Sequence, residues 1–395
     1  MLGPESPLMP REFPRGFRRG AALTLVFAGV LVTASATGLL PRSPAEPDPV
    51  PAARAAAVPM ADRAEVARAA AEAMADGKSA AEAAEEVVSR SGDRWGAVYD
   101  KGEYEEFAQA LDGAYTGVGL WARRGSDGRV EVVRVQRGGP AERAGIRTGD
   151  QVRSVDGVSI DGRPVSEVVA LLRGDGKGAE AGSAVALGLQ RGERAWTRTL
   201  RRARLATEAV TVRTLDDNAV MIRVAAFTKG SGERVREAVR NAPADAGVLL
   251  DLRGNGGGLV SEAVTAASAF LDGGLVATYD VHGEQKALYA RSGGDTDRPV
   301  VVLVDGGTMS AAELVAGALQ DRGRAVTVGS RSFGKGSVQM PEELPGGSVA
   351  ELTVGHYRTP AGREVEGKGI TPDLVADTEA QERARTVLSG LGTGS

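Results

Sequence analysis

The sequence predicts an α/β (α+β) domain with a central sheet, carrying an inserted β-rich module and preceded by a helical segment. Three observations carry that reading. From residue 206 to about 376, apolar runs of strand length alternate with helical stretches, the pattern of strands covered by helices. Between residues 113 and 205 the apolar runs are short, alternate in character and are punctuated by glycine, with two short helix candidates among them. Residues 61–90 are rich in alanine and glutamate and broken at Gly77, which reads as two helices.

Composition sets wide bounds. The 395 residues are 42 % apolar and 25 % charged with a net charge of −4, ordinary for a globular chain and no reason to expect nucleic acid as a partner. With no cysteine, disulfides are excluded, so an oxidising compartment is permitted but not indicated. The 54 glycines fall mostly between apolar runs, where turns and close backbone approaches need them.

In chain order, residues 1–19 hold Arg11, Arg15, Arg18 and Arg19 and read as a basic cytoplasmic segment. Residues 20–40 are uncharged and long enough to span a bilayer, with the arginines holding the N-terminal side in the cytoplasm. The alternative is a cleaved signal sequence, since Ala34-Ser35-Ala36 offers a small-residue cleavage site. Either way the rest of the chain is expected to be extracytoplasmic, anchored to the membrane by this helix or secreted. Residues 41–60 form a Pro/Ala-rich linker. Residues 61–112 form a helical region without catalytic signal, expected to serve packing or a homodimer contact. Residues 113–205 are the β-rich module, with helix candidates at 139–146 and 165–174. In 206–376, AVMIRVAAF, GVLLDLR, LVATYDV, PVVVLVD, AVTVGS and VAELTVGHYR read as strands, and GERVREAVRN, LVSEAVTAASAFL and SAAELVAGALQD as helices. The tail, 377–395, holds one short helix and a flexible end.

Chemistry concentrates in three loops. Ser310 follows the strand PVVVLVD and the loop GGTM and opens a helix, whose free N-terminal amides suit a developing oxyanion. A helix-capping serine completed by Glu313 explains the same residues. Lys335 lies in SFGKGSVQ with no acidic residue within six positions on either side, so burial there would depress its pKa and leave the amine neutral. A surface lysine is the plain alternative. Gln339 is uncharged and able to orient such an amine without stabilising its cation. The chain has only His282 and His356, so a lysine base for the serine is the natural arrangement. The third loop, in GVLLDLRGNGGGLVSEA, offers backbone amides; it satisfies neither GxxxxGK[ST] nor GxGxxG, which argues against a phosphate cradle.

Two resemblances follow from these residues. GGPAERAGIRTGDQVRSVDGVSI (138–160) resembles the PDZ stretch in which a small helix precedes a glycine-aspartate turn and a strand. Thr116, Gly117, Val118, Gly119 and Leu120 (TGVGL) then match the loop whose amides would capture a peptide carboxylate, although an ordinary glycine hairpin has the same composition. DLRGNGGG, TMSAAELVAGALQD, SFGKGSVQ and HYRTPAGREVEGKGITPD together resemble the C-terminal processing peptidases, or tail-specific proteases. The resemblance implies a serine endopeptidase with a Ser310 nucleophile, a Lys335 base and Gln339 as third member. The oxyanion hole would be the N–H groups of Ala311 and Gly257. It implies protein or peptide substrates with apolar C-termini and neither metal nor cofactor. It also implies that the PDZ position decides whether the dyad assembles. Asp305 and Ala312 depart from the family pattern; Asp305 would raise the lysine pKa if it lay close. A catalytically silent PDZ scaffold is the alternative. A His-dependent serine protease would need a serine at Gly256, and a penicillin-binding type a lysine three positions after Ser310.

Overall fold

The computed structural model describes residues 60–392 apart from 125–128, 162, 164–167, 169–170, 175–179, 216–217 and 282–283. The basic segment, the anchor or signal sequence, nearly all of the linker and His282 therefore lie outside the described residues. Among the described residues, no helix is long and apolar enough to cross a membrane.

The helical region comprises α1 (Arg63–Ala75) and α2 (Ala80–Ser91), followed by β1 (Ala97–Tyr99) and α3 (Lys101–Leu111). Asp62 and Ser79 cap α1 and α2, and Gly92 ends α2 in the left-handed conformation that glycine adopts freely. Val66, Ala70, Ala84, Val87 and Val88 pack with Leu344, Ala350 and Leu352, so packing against the 344–352 segment covers their apolar face.

Residues Tyr115–Leu205 form one compact unit and the remaining described residues another. The first unit takes in β2 (Ala114–Gly117), β3 (Leu120–Arg124), β4 (Val130–Val135), α4 (Pro140–Arg143), β5 (Gln151–Val155), β6 (Val158–Ser159), β7 (Ala184–Arg191), β8 (Arg194–Arg201) and β9 (Ala203–Ala206). Its sheet runs β3-β4-β5-β7-β8 with β6 on β5, while β2 pairs with β9. Val130, Val132, Val152, Val185, Leu187 and Leu189 build its core, the inward half of each alternating strand. Of the expected second helix, Val168 and Leu172 are buried in this core; most of its other residues lie outside the described set.

The second unit continues with β10 (Val210–Leu215), β11 (Ala219–Val224), α5 (Ser231–Asn241), β12 (Gly247–Asp251), α6 (Val260–Ala267), β13 (Leu275–Val281), β14 (Glu284–Tyr289), β15 (Val300–Val304), α7 (Ala311–Asp321), β16 (Val326–Gly329), β17 (Ser337–Glu343), β18 (Val349–Arg358), β19 (Leu374–Val375) and α8 (Ala380–Gly392). Its main sheet has the order β10-β11-β12-β15-β16-β19, parallel except at the β10 edge. Period-two alternation sorts its side chains. Val220, Ile222, Val248, Leu250, Val300 and Val302 face α5, α6 and α7, while Met221, Leu249, Val301 and Leu303 face α8. Ala380, Ala384 and Leu388 of α8 make it a layer of the core, which the sequence had read as an appended tail.

The sequence also read LVATYDV and VAELTVGHYR into one central sheet. They are β13 and β18 of a second sheet, β1-β18-β13-β14 with β17 on β18. Antiparallel hairpins need no crossover helix, so strand character alone did not reveal which sheet each strand joins.

Candidate active site

The three loops singled out in the sequence leave the carboxyl ends of neighbouring parallel strands: GNGGG after β12, Ser310 after β15 and Lys335 after β16. In open α/β sheets, ligands bind outside that end of the strands.

Ser310 precedes α7 with φ 54° and ψ −120°, a conformation that non-glycine residues rarely adopt, and is 7 % exposed. Such strain persists only where surrounding contacts impose it. The contact here is Glu313, fully buried. Its Oε2 accepts from the N–H groups of Ser310 and Lys335, each at 2.9 Å. Its Oε1 accepts from Gly334 N–H at 2.7 Å and from the Ser332 hydroxyl at 2.5 Å. Burial pushes this carboxyl up, while the donated hydrogen bonds pull it down. Tyr357, buried, places its hydroxyl 2.9 Å from Ser310 O and 3.2 Å from Lys335 O. The sequence offered Glu313 only as half of a capping box and gave Tyr357 no role.

Lys335 is fully buried, and among the described residues its Nζ has no hydrogen-bond partner, Ser310 Oγ included. Nζ lies 5.0 Å from the centre of the Trp95 ring. Burial lowers its pKa from 10.5 to about 8, against the raising influence of Glu366, Glu351, Asp93 and Glu313. The absence of nearby carboxylates in the sequence therefore did not survive folding. Asp305, the carboxylate suspected from the loop, instead accepts from Gly254 and Gly307 N–H at 2.8 and 2.9 Å. Asp93 and Trp95 belong to a stretch that gave no catalytic signal. Asp93 accepts from Thr353 N–H and hydroxyl, and the Trp95 indole donates to Glu366.

Two expected roles differ from the observed geometry. Gln339 does not reach the lysine amine: its amide donates to Ser337 Oγ at 2.8 Å and Thr353 Oγ1 at 3.2 Å. A bulge between Val338 and Gln339 breaks the register there and re-aims the side chain. Gly257 N–H donates to Asn255 Oδ1 at 2.8 Å, so it is not directed at an oxyanion in this arrangement. Gly257 nonetheless abuts the serine, since a Cβ there would meet Ser310 Cβ at 2.9 Å. Ala311 supplies the first amide of α7. An apolar recess beside Ser310 is lined by Val260, Tyr279, Leu288, Leu314 and Val338.

In the first unit, Thr116 and Gly117 end β2, Val118 and Gly119 turn, and Leu120 starts β3. Gly119 has φ 78°, and the Val118 carbonyl accepts from Ala141 N–H of α4, fixing the turn. His356 lies on β18 opposite Ser337. Among the described residues, no group of three or more His, Cys, Asp or Glu side chains is arranged to hold a metal ion.

Residues 218–376, which span all three loops, match the family described as Peptidase family S41. The chain belongs to peptidase family S41. Residues 131–181 match the PDZ domain family, so the fold is an S41 core with a PDZ domain preceding it in the chain. The S41 protein is 31 % identical over 296 residues to the Carboxy-terminal processing protease CtpA of Bacillus subtilis (strain 168), covering 74 % of this chain and 62 % of that one. It is 37 % identical over 290 residues to the "C-terminal processing peptidase, chloroplastic" of Tetradesmus obliquus, covering 68 % and 61 %. The solved photosystem II D1 C-terminal processing protease is 30 % identical, with 80 % of this chain and 86 % of that chain covered and a TM-score of 0.49. The chain spans less than two thirds of the length of these curated relatives. Asp93 and Trp95 lie outside the S41 match, on the helical region.

Proposed function

We propose that this S41 protein is a C-terminal processing serine peptidase. One observation carries the reading: the buried, unpaired Lys335 amine and Ser310 are fastened by the same Glu313 and Tyr357 groups. Neutral Lys335 Nζ takes the Ser310 proton as Oγ bonds to the substrate carbonyl carbon. The α7 N-terminus, through Ala311 N–H, stabilises the oxyanion. The C–N bond then breaks as the leaving amine takes the proton from Nζ. Water, deprotonated by Lys335, bonds to the acyl carbon, and the Oγ–C bond breaks as Nζ returns the proton to Ser310 and the acid leaves.

The observed arrangement fits a resting state. Assembly requires Nζ to approach Ser310 Oγ and the Gly257 peptide to leave Asn255. Gln339 acts through Thr353 and Asp93 and not by direct contact with the amine. The apolar recess beside Ser310 suits an apolar substrate side chain, and the Thr116–Leu120 turn a free C-terminus added along a strand edge. Export through residues 20–40, whether retained as an anchor or cleaved, belongs to the same proposal and is tested by cell fractionation.

The test compares the full chain with Ser310→Ala and Lys335→Ala on an unfolded protein with an apolar C-terminus. Cleavage by the wild type alone is expected; equal cleavage by all three would overturn the dyad, and cleavage by none would leave a peptide-binding scaffold. Amidating the substrate C-terminus is expected to slow cleavage, and unchanged rates would remove tail recognition.

A further inference from the structure

The lysine site holds a second buried group that the proposed reaction leaves unused. Glu351 lies on β18, 2 % exposed, in register with Ala97 of β1 and Pro341 of β17. Among the described residues neither carboxylate oxygen of Glu351 has a hydrogen-bond partner, and the same holds for Lys335 Nζ. A buried carboxylate or ammonium left unpaired is costly, so two such groups at one site constrain each other's charge.

The groups around them are already engaged. Asp93 accepts from Thr353, Trp95 and Gly96. Glu366 accepts from the Trp95 indole and Gly336 N–H. Glu313 holds the two loop backbones. Tyr99 of β1 and Tyr104 of α3 also interact with Glu351, and both phenols are raised chiefly by burial, which keeps them neutral. Glu351 is thus, of the carboxylates that interact with the lysine, the one whose oxygens accept no hydrogen bond among the described residues. Burial raises it to about 7 while Lys335 pulls it down, and Glu351 in turn raises Lys335.

We propose that Glu351 is a positioning residue that sets how easily Lys335 gives up its proton: its negative charge holds the amine as ammonium to higher pH, and neutralising or removing that charge frees the amine at lower pH to accept the Ser310 proton. One proton moving from Nζ to a Glu351 oxygen turns the ion pair into amine and carboxylic acid with no change in total charge. The inference rests on Lys335 being the base.

The experiment follows kcat/KM against pH for the full chain, Glu351→Gln and Glu351→Asp. Glu351→Gln is expected to move the limb that rises with pH downward by about one pH unit, the scale on which a nearby opposite charge acts, and Glu351→Asp to restore it. A limb that stays in place while activity falls uniformly would reduce Glu351 to a packing residue and overturn the proposal. A second readout is independent of cleavage: the NMR titration of the lysine signal that disappears in Lys335→Met, recorded on Ser310→Ala. Coupling predicts a two-step curve that becomes one step, at lower pH, in Glu351→Gln. A single step in the Ser310→Ala protein itself would overturn the proposal even if Glu351→Gln failed to fold. A two-step titration in a chain that cleaves nothing would instead uphold the coupling and sink the peptidase reading.

Discussion

Ser310 and Lys335, 25 positions apart in the sequence, are tied together through their backbones by two shared side chains. The N–H of each donates to Glu313 Oε2 at 2.9 Å, and the Tyr357 hydroxyl lies 2.9 and 3.2 Å from their carbonyl oxygens. Nucleophile and base candidates are therefore registered on each other before either side chain moves. Replacing Glu313 removes the acceptor for several buried donors at once. Glu313→Ala is expected to cost about 3 kcal/mol or more, the scale for breaking a buried charged network, and to abolish cleavage. Chemical denaturation and peptide hydrolysis measure the two effects; wild-type stability would contradict the clamp.

Tyr357→Phe deletes only the hydroxyl and leaves both carbonyls buried. We expect a loss of about 1–3 kcal/mol and a kcat that falls more than KM changes, because the loops lose mutual alignment. Kinetics unchanged from the wild type would show that Glu313 suffices.

Gly257 has φ 102°, and an added Cβ would meet Ser310 Cβ at 2.9 Å and Met309 O at 3.0 Å. Gly257→Ala therefore combines left-handed strain with a clash against backbone that cannot yield cheaply. Lower thermal stability and loss of activity are expected together, read by calorimetry and hydrolysis.

Lys335 gives a pH signature with a definite sign. Its folded pKa, about 8, lies below the ordinary 10.5. Between those values the unfolded chain still holds a proton that the folded chain has released, so this group makes the protein more stable as pH rises from about 8 to 10.5. The gain is at most about 3 kcal/mol, and Lys335→Met should remove it from the difference between the two stability curves. Activity, which needs the neutral amine, is expected to rise through an apparent pKa near 8. A profile already flat well below pH 7 would contradict that role.

The order of strands and helices, the loops bearing Ser310, Lys335 and Gly257, and the β-rich module were legible in the sequence. Those features are set by local periodicity, by glycine at turns and by short contiguous motifs. The surroundings of Lys335 were not. Its neighbours along the chain carry no acid, yet folding brings Asp93 from the helical region, Glu313 from α7, Glu351 from β18 and Glu366 from the loop after it. A bulge in β17 turns Gln339 toward Thr353, and Asn255 captures the Gly257 amide. Coulomb forces and burial act through space, so only the tertiary structure decided how easily the lysine gives up its proton.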